Sequence, residues 1–522
     1  MPNQSAQPES RVKKTLLNAR VNLIFYLLTI LLSFFSRKIF LDNLGTSFIG
    51  LTGTLQNLLG FLNLAELGIG SAIGYVLYKP IFEKDQNKII EIISVMGYLY
   101  RRIGLVVLVS GIILSAFLPL IFPDTPFSLP IIYFAYYAFL LSSLIGYFIN
   151  YRQNLLGADQ KNYIVTGYFQ TTTIIKTIIQ MILAYYTRSY IIWISIEISF
   201  GIIYSFILNW RINKAYPWLK SSARLGKSLF KKYPEVMKYT KQLFAHQING
   251  FAQYQTIPFL TYAFVSLQTV AFLGNYNLVL DKISLLMNTF LGSVTAGVGN
   301  LIAEGNKSKI MKVFWEYSTL RFYAAGFCAF VCIMGLNSLI EVWLGKEYIM
   351  GRIVFVLLII KLYVQVITGN TYSFIYGYGL FNDVWASVAQ TVIFLTTAIL
   401  GGYFYGICGI LFAGILSIGI IQGIWKPYFL FKKGMKCPII SYWKKWTILN
   451  LINMASIAIS YLIINYLHFC KFATNFFEWL INNLLYAGIY IVISIFTYLI
   501  FSSSARQLSQ RVCRIRKRSN TI

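Results

Sequence analysis

Residues 67–92 read LGIGSAIGYVLYKPIFEKDQNKIIEI, and residues 288–313 read NTFLGSVTAGVGNLIAEGNKSKIMKV. Each stretch is a small-residue helix end that runs into a short charged turn and then into a long apolar helix. A shift of 221 or 222 residues pairs six positions of the two halves: Glu83 with Glu304, Lys88 with Lys309, Ile89 with Ile310, Gly53 with Gly274, Gly157 with Gly379 and Tyr163 with Trp385. Identities are few, but the near-constant offset predicts two repeats of one helical architecture.

The composition is typical of a membrane protein. Of the 522 residues, 57% are hydrophobic and 12% are charged, whereas a soluble domain is roughly 25% charged. Apolar runs of about 20 residues recur along the chain, and each is long enough to cross a bilayer. The sequence therefore predicts an all-α polytopic membrane protein with about 14 transmembrane helices, at 16–36, 46–78, 89–122, 129–149, 162–186, 190–210, 243–265, 270–302, 310–343, 353–376, 384–402, 407–428, 447–467 and 478–501.

The repeat divides these spans into two pseudo-symmetric six-helix lobes. An even number of spans per repeat makes the repeats parallel, with a binding site expected between them. We predict an N-lobe at 1–210 (helices 1–6), a basic cytoplasmic linker at 211–242 and a C-lobe at 243–428 (helices 7–12). Residues 429–522 add two extra helices and a basic cytoplasmic tail. We expect the linker to be partly helical on the inner membrane surface.

The basic residues predict the orientation of the chain. The formal net charge is +28, and 33 of the 45 Lys and Arg fall on one set of connecting segments, against 6 on the other. By the positive-inside rule, both termini are cytoplasmic. The excess also suits contact with anionic membrane lipids, so nucleic acid is not needed to explain it. The polar N-terminus is followed by no small-residue cleavage site, and we expect no removable signal peptide.

Three stretches of the chain resemble one transporter family. They read LGTSFIGLTGTLQNLLGFLNLAELGIGSAIGYVLYKPIFEKDQNKI in the first half, RQNLLGADQKNY after the fourth span, and FLGNYNLVLDKISLLMNTFLGSVTAGVGNLIAEGNKSKI in the second half. With the helix count, they resemble the polysaccharide-transporter branch of the multidrug/oligosaccharidyl-lipid/polysaccharide exporter superfamily over roughly residues 16–430. Many members of this branch have fourteen spans, which suits the extra C-terminal pair.

The resemblance implies a function. It implies a flippase in the bacterial inner membrane, not an enzyme, which translocates an undecaprenyl-pyrophosphate-linked oligosaccharide by alternating access. The oligosaccharide would be an O-antigen or capsule repeat unit, with other polysaccharide-assembly membrane proteins as further partners and no cofactor. The chain departs from the family in the seventh span, where many relatives have an Asp and this sequence reads Gln255-Thr256-Ile257. This chain therefore has no acid at this point to fill a coupling role.

Ionisable side chains inside spans are the functional candidates, because each is costly in hydrocarbon. At about 1.5 Å per residue, Lys176, Lys282 and Lys361 lie roughly 15, 18 and 12 Å below the outer ends of their spans. With Arg37 after the first span, they form a predicted cationic cavity that suits a diphosphate headgroup. For Arg37 the alternative is a side chain that snorkels outward.

Acidic residues offer a structural alternative for two of these lysines. Glu197, about 10 Å into the sixth span, is placed to pair with Lys176. Asp281 lies at similar depth in the eighth span and is placed to neutralise Lys361. Glu66 precedes Gly68, Gly70 and Gly74, which weaken or bend the helix. It is a candidate coupling site beside a hinge, or else a carboxylate hydrogen-bonded within its lobe.

Three arginines lie near the inner ends of the long third and ninth spans: Arg101, Arg102 and Arg321. They mark where these helices leave the hydrocarbon, or they receive a headgroup that arrives from the cytoplasmic leaflet. The six cysteines have no His or carboxylate at ligand spacing, so we expect packing roles and no metal.

Two rival functions stay open. A cation-coupled multidrug exporter of the same superfamily would use cavity carboxylates to hold cationic drugs, but the mid-depth charges mildly favour an anionic substrate. A membrane polysaccharide polymerase would be expected to work through a sizeable outer loop. The longest outer loops predicted here are only about ten residues, and none has a paired-carboxylate or His-rich pattern.

Overall fold

A computed structural model of the chain describes residues 11–66, 69–123, 125–159, 161–292, 298, 301–302, 305–380, 383–467 and 473–519. All regular secondary structure in these ranges is helical. Helix packing divides the chain into two units, Met1–Ala271 and Phe272–Ile522. The all-α prediction is confirmed, and the predicted lobe boundaries stay a prediction.

The first unit contains eleven α-helices and the start of a twelfth. They are α1 Arg11–Leu44, α2 Thr46–Leu62, α3 Ile69–Glu83, α4 Gln86–Ser115, α5 Leu118–Ile121, α6 Leu129–Phe148, α7 Gln153–Ala158, α8 Asn162–Thr187, α9 Tyr190–Ala215, α10 Ala223–Leu229, α11 Pro234–Phe264 and α12 Leu267–Gly292. Short 3-10 segments occur at Asn63–Glu66, Asn150–Arg152 and Phe230–Lys232.

The second unit continues with helices up to the C-terminal tail. They are α13 Lys307–Trp343, α14 Arg352–Gly377, α15 Val384–Tyr405, α16 Ile407–Met435, α17 Ile440–Tyr466, α18 Phe476–Phe501 and α19 Ser503–Ser519. A 3-10 turn lies at Lys346–Tyr348, and α16 is π-helical over Gly419–Trp425 and Leu430–Met435.

Among the described residues, ten helices are long and apolar enough to cross a membrane, so the chain is a multi-pass membrane protein. They are α1, α4, α6, α9 and α13 to α18. The other four predicted spans fall on α2 with α3, on α8, on α11 and on α12, which are shorter, broken or more polar. Ten such helices are consistent with fourteen spans, although the full count stays a prediction.

The predicted span 46–78 is not one continuous helix. Helix α2 ends at Leu62, a 3-10 turn covers Asn63–Glu66, and α3 begins at Ile69. Residues 67 and 68 lie outside the described ranges. The chain thus leaves α-helical geometry immediately before the glycine-rich segment, where low helix propensity makes a break least costly.

The 221-residue register is visible in the turns that start corresponding helices. Lys84 and its counterpart Gly305 both have positive φ, of 57° and 71°. The next residues, Asp85 and Asn306, cap α4 and α13, each accepting a hydrogen bond from the backbone N–H three residues later. That hydrogen bond lowers the pKa of the partly exposed Asp85 carboxyl. Matching left-handed residues and N-caps are local features that each half encodes for itself.

Helix starts follow the same register. Helices α2 and α12 begin 221 residues apart, as do α4 and α13, and α8 and α15 begin 222 apart. Much of the second repeat segment, at 293–297, 299–300 and 303–304, lies outside the described residues, including Glu304.

The linker is packed against α4. Helix α10 approaches so closely that a Cβ on Gly226 would lie 2.0 Å from the Ser94 carbonyl oxygen. Lys232 pairs with Glu91 at 2.6 Å, and the hydroxyl of Tyr233 donates to the same carboxylate. Helix α11 already begins at Pro234, nine residues before the predicted span, so the last part of the linker is helical, and its predicted bounds stay a prediction.

The two C-terminal helices pack on α13 through glycines. The Asn453 side chain of α17 and the Tyr490 hydroxyl of α18 lie where a Cβ on Gly326 would fall, 2.3 and 2.4 Å away. Trp479 donates to the Gly335 carbonyl at 2.8 Å. Small residues that admit polar side chains from a neighbouring helix are a common means of association between membrane helices.

Candidate functional site

Lys176 of α8 and Glu197 of α9 form an ion pair in the first unit. The Lys176 Nζ atom lies 2.6 Å from Glu197 Oε1, and the side chains are 18% and 20% exposed. Gln180 donates from Nε2 to Glu197 Oε2 at 3.1 Å and to the Trp193 carbonyl at 3.1 Å. The positive charge of Lys176 is thus neutralised by Glu197, as the structural alternative expects. A role for Lys176 in a cationic cavity stays a prediction.

This ion pair lines a cavity of about 500 Å³ between α6, α8 and α9. Eight of the fourteen lining residues have polar side chains. The Asn150 Oδ1 atom accepts hydrogen bonds from Ser205 at 2.7 Å and Asn209 at 3.0 Å, which fixes the orientation of its amide. The buried Oγ of Ser142 has no hydrogen-bond partner among the described residues. The sequence patterns considered above gave no sign of this cavity, because its lining comes from α6, α8 and α9 together with Asn150 of the 3-10 segment and Gln153 of α7.

Glu66 is hydrogen-bonded inside the first unit. The buried Tyr100 hydroxyl of α4 donates to Glu66 Oε1 at 2.7 Å. One turn earlier, Asn63 Oδ1 accepts from Tyr147 at 2.8 Å and Ser143 at 3.1 Å. The break between α2 and α3 is therefore tied to α4 and α6 by tyrosines. This geometry matches the structural alternative for Glu66, while a coupling role stays a prediction.

Asp281 lies near both lysines predicted for the C-lobe. It interacts electrostatically with Lys361 of α14 and with its neighbour Lys282 of α12. The Asp281 side chain is exposed and those of Lys282 and Lys361 are partly buried. Two lysines therefore place positive charge near this carboxylate. Positive charge in such a place attracts an anionic group.

Arg37 joins α1 to the start of α12. Its Nη2 atom donates to the Ala271 carbonyl at 2.8 Å. Both residues belong to the first unit. Lys38, next to it, pairs with Asp42 on the same helix at 3.7 Å. The Arg37 guanidinium thus contacts protein, and its predicted role in substrate binding is a separate proposal.

The three arginines predicted at inner helix ends differ in environment. Arg101 and Arg102 are exposed, and Arg102 lies 5.5 Å from the centre of the Tyr98 ring. Arg321 is 4% exposed and donates from Nη1 to the Val366 carbonyl at 3.0 Å. The 221-residue register explains the difference. It aligns Arg321 with the buried Tyr100 rather than with either exposed arginine, and one residue along a helix is a rotation of about 100°.

Gln255 occupies the place where the family resemblance leads us to expect an acid. Its side-chain amide lies against Gly60 of α2, where a Cβ would meet it at 2.3 Å. A neutral amide therefore fills a space that Gly60 leaves open. No group of three or more His, Cys, Asp or Glu side chains in the described part of the chain could hold a metal ion.

Two ion pairs in the second unit were not predicted. Lys426 pairs with Asp383 at 2.7 Å, with side chains 7% and 3% exposed. Arg511 of the tail pairs with the buried Glu316 at 2.8 Å. Depth counting along the hairpin of α15 and α16 would have found the first pair, since Asp383 precedes the start of α15 and Lys426 lies towards the end of α16, which is the same end of the hairpin. No local signal links Arg511 to Glu316, because they are 195 residues apart.

This architecture is the fold of a class of membrane transporters and flippases. The structure of a lipid II flippase MurJ, in an inward closed conformation, is 16% identical with a TM-score of 0.60, covering 92% of this chain and 99% of that one. An inward-facing multidrug resistance MATE transporter of the MOP superfamily is 13% identical with a TM-score of 0.54, covering 80% and 99%.

A mutant of the Vibrio cholerae MATE transporter VcmN is 14% identical with a TM-score of 0.50, covering 81% of this chain and 99% of that one. At these identities the likeness establishes the fold. No protein-family model matches the sequence, and no curated protein matches it.

Proposed function

We propose that this protein is a flippase for a lipid-linked oligosaccharide, and not an enzyme. The observation that carries the proposal is the fold likeness to a lipid II flippase over 92% of the chain. The sequence resemblance to polysaccharide transporters favours an undecaprenyl-pyrophosphate-linked O-antigen or capsule repeat unit over lipid II.

The charges of the second unit support an anionic headgroup. Lys282 and Lys361 both interact electrostatically with Asp281, and Arg321 is a buried guanidinium on α13. A diphosphate in a low-dielectric site needs such positive charges, because an apolar wall cannot replace its hydration. Lys282, Lys361 and Arg321 are the residues we propose to contact it during translocation.

The proposal includes the orientation of the chain in the membrane and its protein partners. Both termini face the cytoplasm of the bacterial inner membrane, so the basic tail meets the anionic leaflet that the substrate leaves. Membrane proteins that assemble the polysaccharide would receive the product on the outer side.

A multidrug exporter is the second candidate. It is favoured by the likeness to two MATE transporters and by the carboxylates Glu66 and Glu197 in the first unit. Both of these carboxylates accept hydrogen bonds within the unit. A cationic drug would compete with the Lys176 ammonium group at Glu197 and would share the Glu66 carboxylate with the Tyr100 hydroxyl.

A deletion strain tests the proposal and separates the two candidates. We expect lipid-linked repeat units to accumulate on the cytoplasmic leaflet and surface polymer to disappear, with both defects reversed by the gene in trans. Normal surface polysaccharide in a strain without another flippase would contradict the proposal. Unchanged polymer together with greater sensitivity to cationic drugs would favour the exporter.

A further inference from the structure

We infer that the cavity between α6, α8 and α9 is a binding subsite for the sugar portion of the substrate. This inference rests on the proposed function and adds a site within the first unit. The cationic residues proposed in the second unit would contact only the diphosphate headgroup. The cavity, of about 500 Å³, has room for a sugar ring and some water.

The lining provides the hydrogen-bonding groups that a neutral polyhydroxylated ligand needs. Asn150 and Gln153 have amide N–H groups, and Thr172 and Thr173 have hydroxyl oxygens that accept while their protons bond to backbone carbonyls of α8. Such groups satisfy hydroxyls that both donate and accept. Their directions are set in advance by the protein, which lowers the cost of ordering them on binding.

Ser142 gives independent support for a ligand. Its Oγ is buried and has no partner among the described residues, although the residue lines the cavity. A buried hydroxyl without a partner costs free energy. A ligand hydroxyl would remove this cost once the Ser142 side chain turns towards the cavity, because its Oγ has no accessible surface in the conformation described.

Aromatic rings supply an apolar face in the same cavity. Phe169 and Tyr204 line it and contact each other edge to face, with ring centroids 5.2 Å apart. A sugar ring has apolar C–H faces as well as hydroxyls, so a lining of amides, hydroxyls and aromatic rings matches both of its surfaces.

The charges in the cavity argue against the diphosphate as its occupant. The Lys176 ammonium group is ion-paired with one carboxylate oxygen of Glu197, and the other oxygen of Glu197 accepts a hydrogen bond from Gln180. A phosphate would meet a carboxylate at close range. A cation would have to displace the Lys176 ammonium group. A neutral ligand leaves the ion pair in place and hydrogen-bonds around it.

Gly146 allows the cavity to be filled without disturbing the fold. It lines the cavity, and a Cβ built on it meets nothing within 4 Å. Gly146→Leu therefore places an apolar side chain in the cavity and raises helix propensity. Gly488→Leu is the matched control, since Gly488 lies in α18 and its Cβ also meets nothing within 4 Å.

The test measures binding to full-length protein in nanodiscs by native mass spectrometry. The two probes are the lipid-linked oligosaccharide extracted from the deletion strain and undecaprenyl diphosphate without sugar. We expect the wild type to bind the first at least about tenfold more tightly, a difference that a few hydrogen bonds can supply. Gly146→Leu should abolish this difference while its affinity for undecaprenyl diphosphate stays unchanged. Gly488→Leu should bind both probes as the wild type does.

Ser142→Ala is a second variant that does not depend on filling the cavity. Removing an unpartnered buried hydroxyl should leave the melting temperature unchanged or higher. It should nevertheless reduce the preference for the sugar-bearing probe by about three- to tenfold.

The outcomes separate the two proposals. If the wild type binds neither probe, the flippase proposal fails. If it prefers the sugar-bearing probe and both Gly146→Leu and Ser142→Ala keep that preference in full, the substrate is flipped without this subsite and our inference is wrong. Equal affinity of the wild type for both probes would also overturn the subsite.

Discussion

The guanidinium of Arg321 lies directly against Gly369 of α14. A Cβ at position 369 would fall 2.1 Å from Nη1, so only glycine leaves room for the side chain. Arg321 also lies over the Tyr317 ring, 5.0 Å from its centre, and its buried Nε has no hydrogen-bond partner among the described residues. No described carboxylate forms a salt bridge with Arg321 at the distances that define the other pairs. A buried positive charge of this kind costs stability.

Replacing Arg321 with Met should therefore separate folding from transport. Met is unbranched and fills the same space, and it removes a costly buried charge. We expect the free energy of unfolding to fall by no more than about 1 kcal/mol, while transport of an anionic substrate falls at least about tenfold. Thermal unfolding in detergent and surface-polymer level measure the two effects. If the Arg321→Met variant transports the substrate at the normal rate, Arg321 is not part of the proposed headgroup site.

The Lys176–Glu197 pair should behave as a structural ion pair. Lys176→Gln or Glu197→Gln alone leaves one partly buried charge unmatched. Loss of one partner of a fully buried pair commonly costs about 3–5 kcal/mol, so we expect about 1–3 kcal/mol for side chains that are about one-fifth exposed. The double variant should recover most of this loss, because neither charge remains. Unchanged melting temperatures in both single variants would show that the pair contributes nothing to stability.

Gly326→Ala should weaken the packing of the two C-terminal helices. The added methyl group overlaps the Asn453 side chain and the Tyr490 hydroxyl, and overpacking of this kind commonly costs about 1–3 kcal/mol. Gly414→Ala is the control, since its Cβ meets nothing within 4 Å. It should be neutral or stabilising. Equal melting temperatures of the two variants would contradict the close packing at Gly326.

The charge distribution predicts which side of the membrane each connecting segment faces. Leu225 in the linker is 54% exposed, so Leu225→Cys is suitable for labelling in a cysteine-free background. An impermeant maleimide applied to intact cells should leave position 225 unlabelled and label Lys471→Cys. The reverse pattern would invert the proposed topology.

Local features of the repeat were predictable from the sequence. The 221-residue offset identified corresponding turns because left-handed residues and N-caps, as at Asp85 and Asn306, are encoded within a few residues. The Lys176–Glu197 alternative was predictable as well, because α8 and α9 are joined by a short turn and depth along both helices can be counted.

Contacts between distant helices were not predictable in the same way. By position along its helix, Arg321 resembles Arg101 and Arg102. In the 221-residue register it is nevertheless one residue out of step with Arg101, which turns its side chain to another face of the helix. The cavity beside Ser142 depends on how residues of separate helices come together, and Arg511 reaches Glu316 across 195 residues. The periodicity of the sequence does not encode these contacts between distant helices.

Reconstitution tests the proposed flippase function most directly. The extracted lipid-linked oligosaccharide and the purified protein are placed in liposomes, and an impermeant glycosidase is added outside. If the protein flips this lipid, the fraction cleaved should rise from about half, the outer leaflet alone, towards completion. The Lys282→Gln and Lys361→Gln variants should slow this rise without a loss of folded protein, provided that these lysines contact the diphosphate. If cleavage stops at about half with wild-type protein as it does in protein-free liposomes, the protein is not a flippase for this lipid.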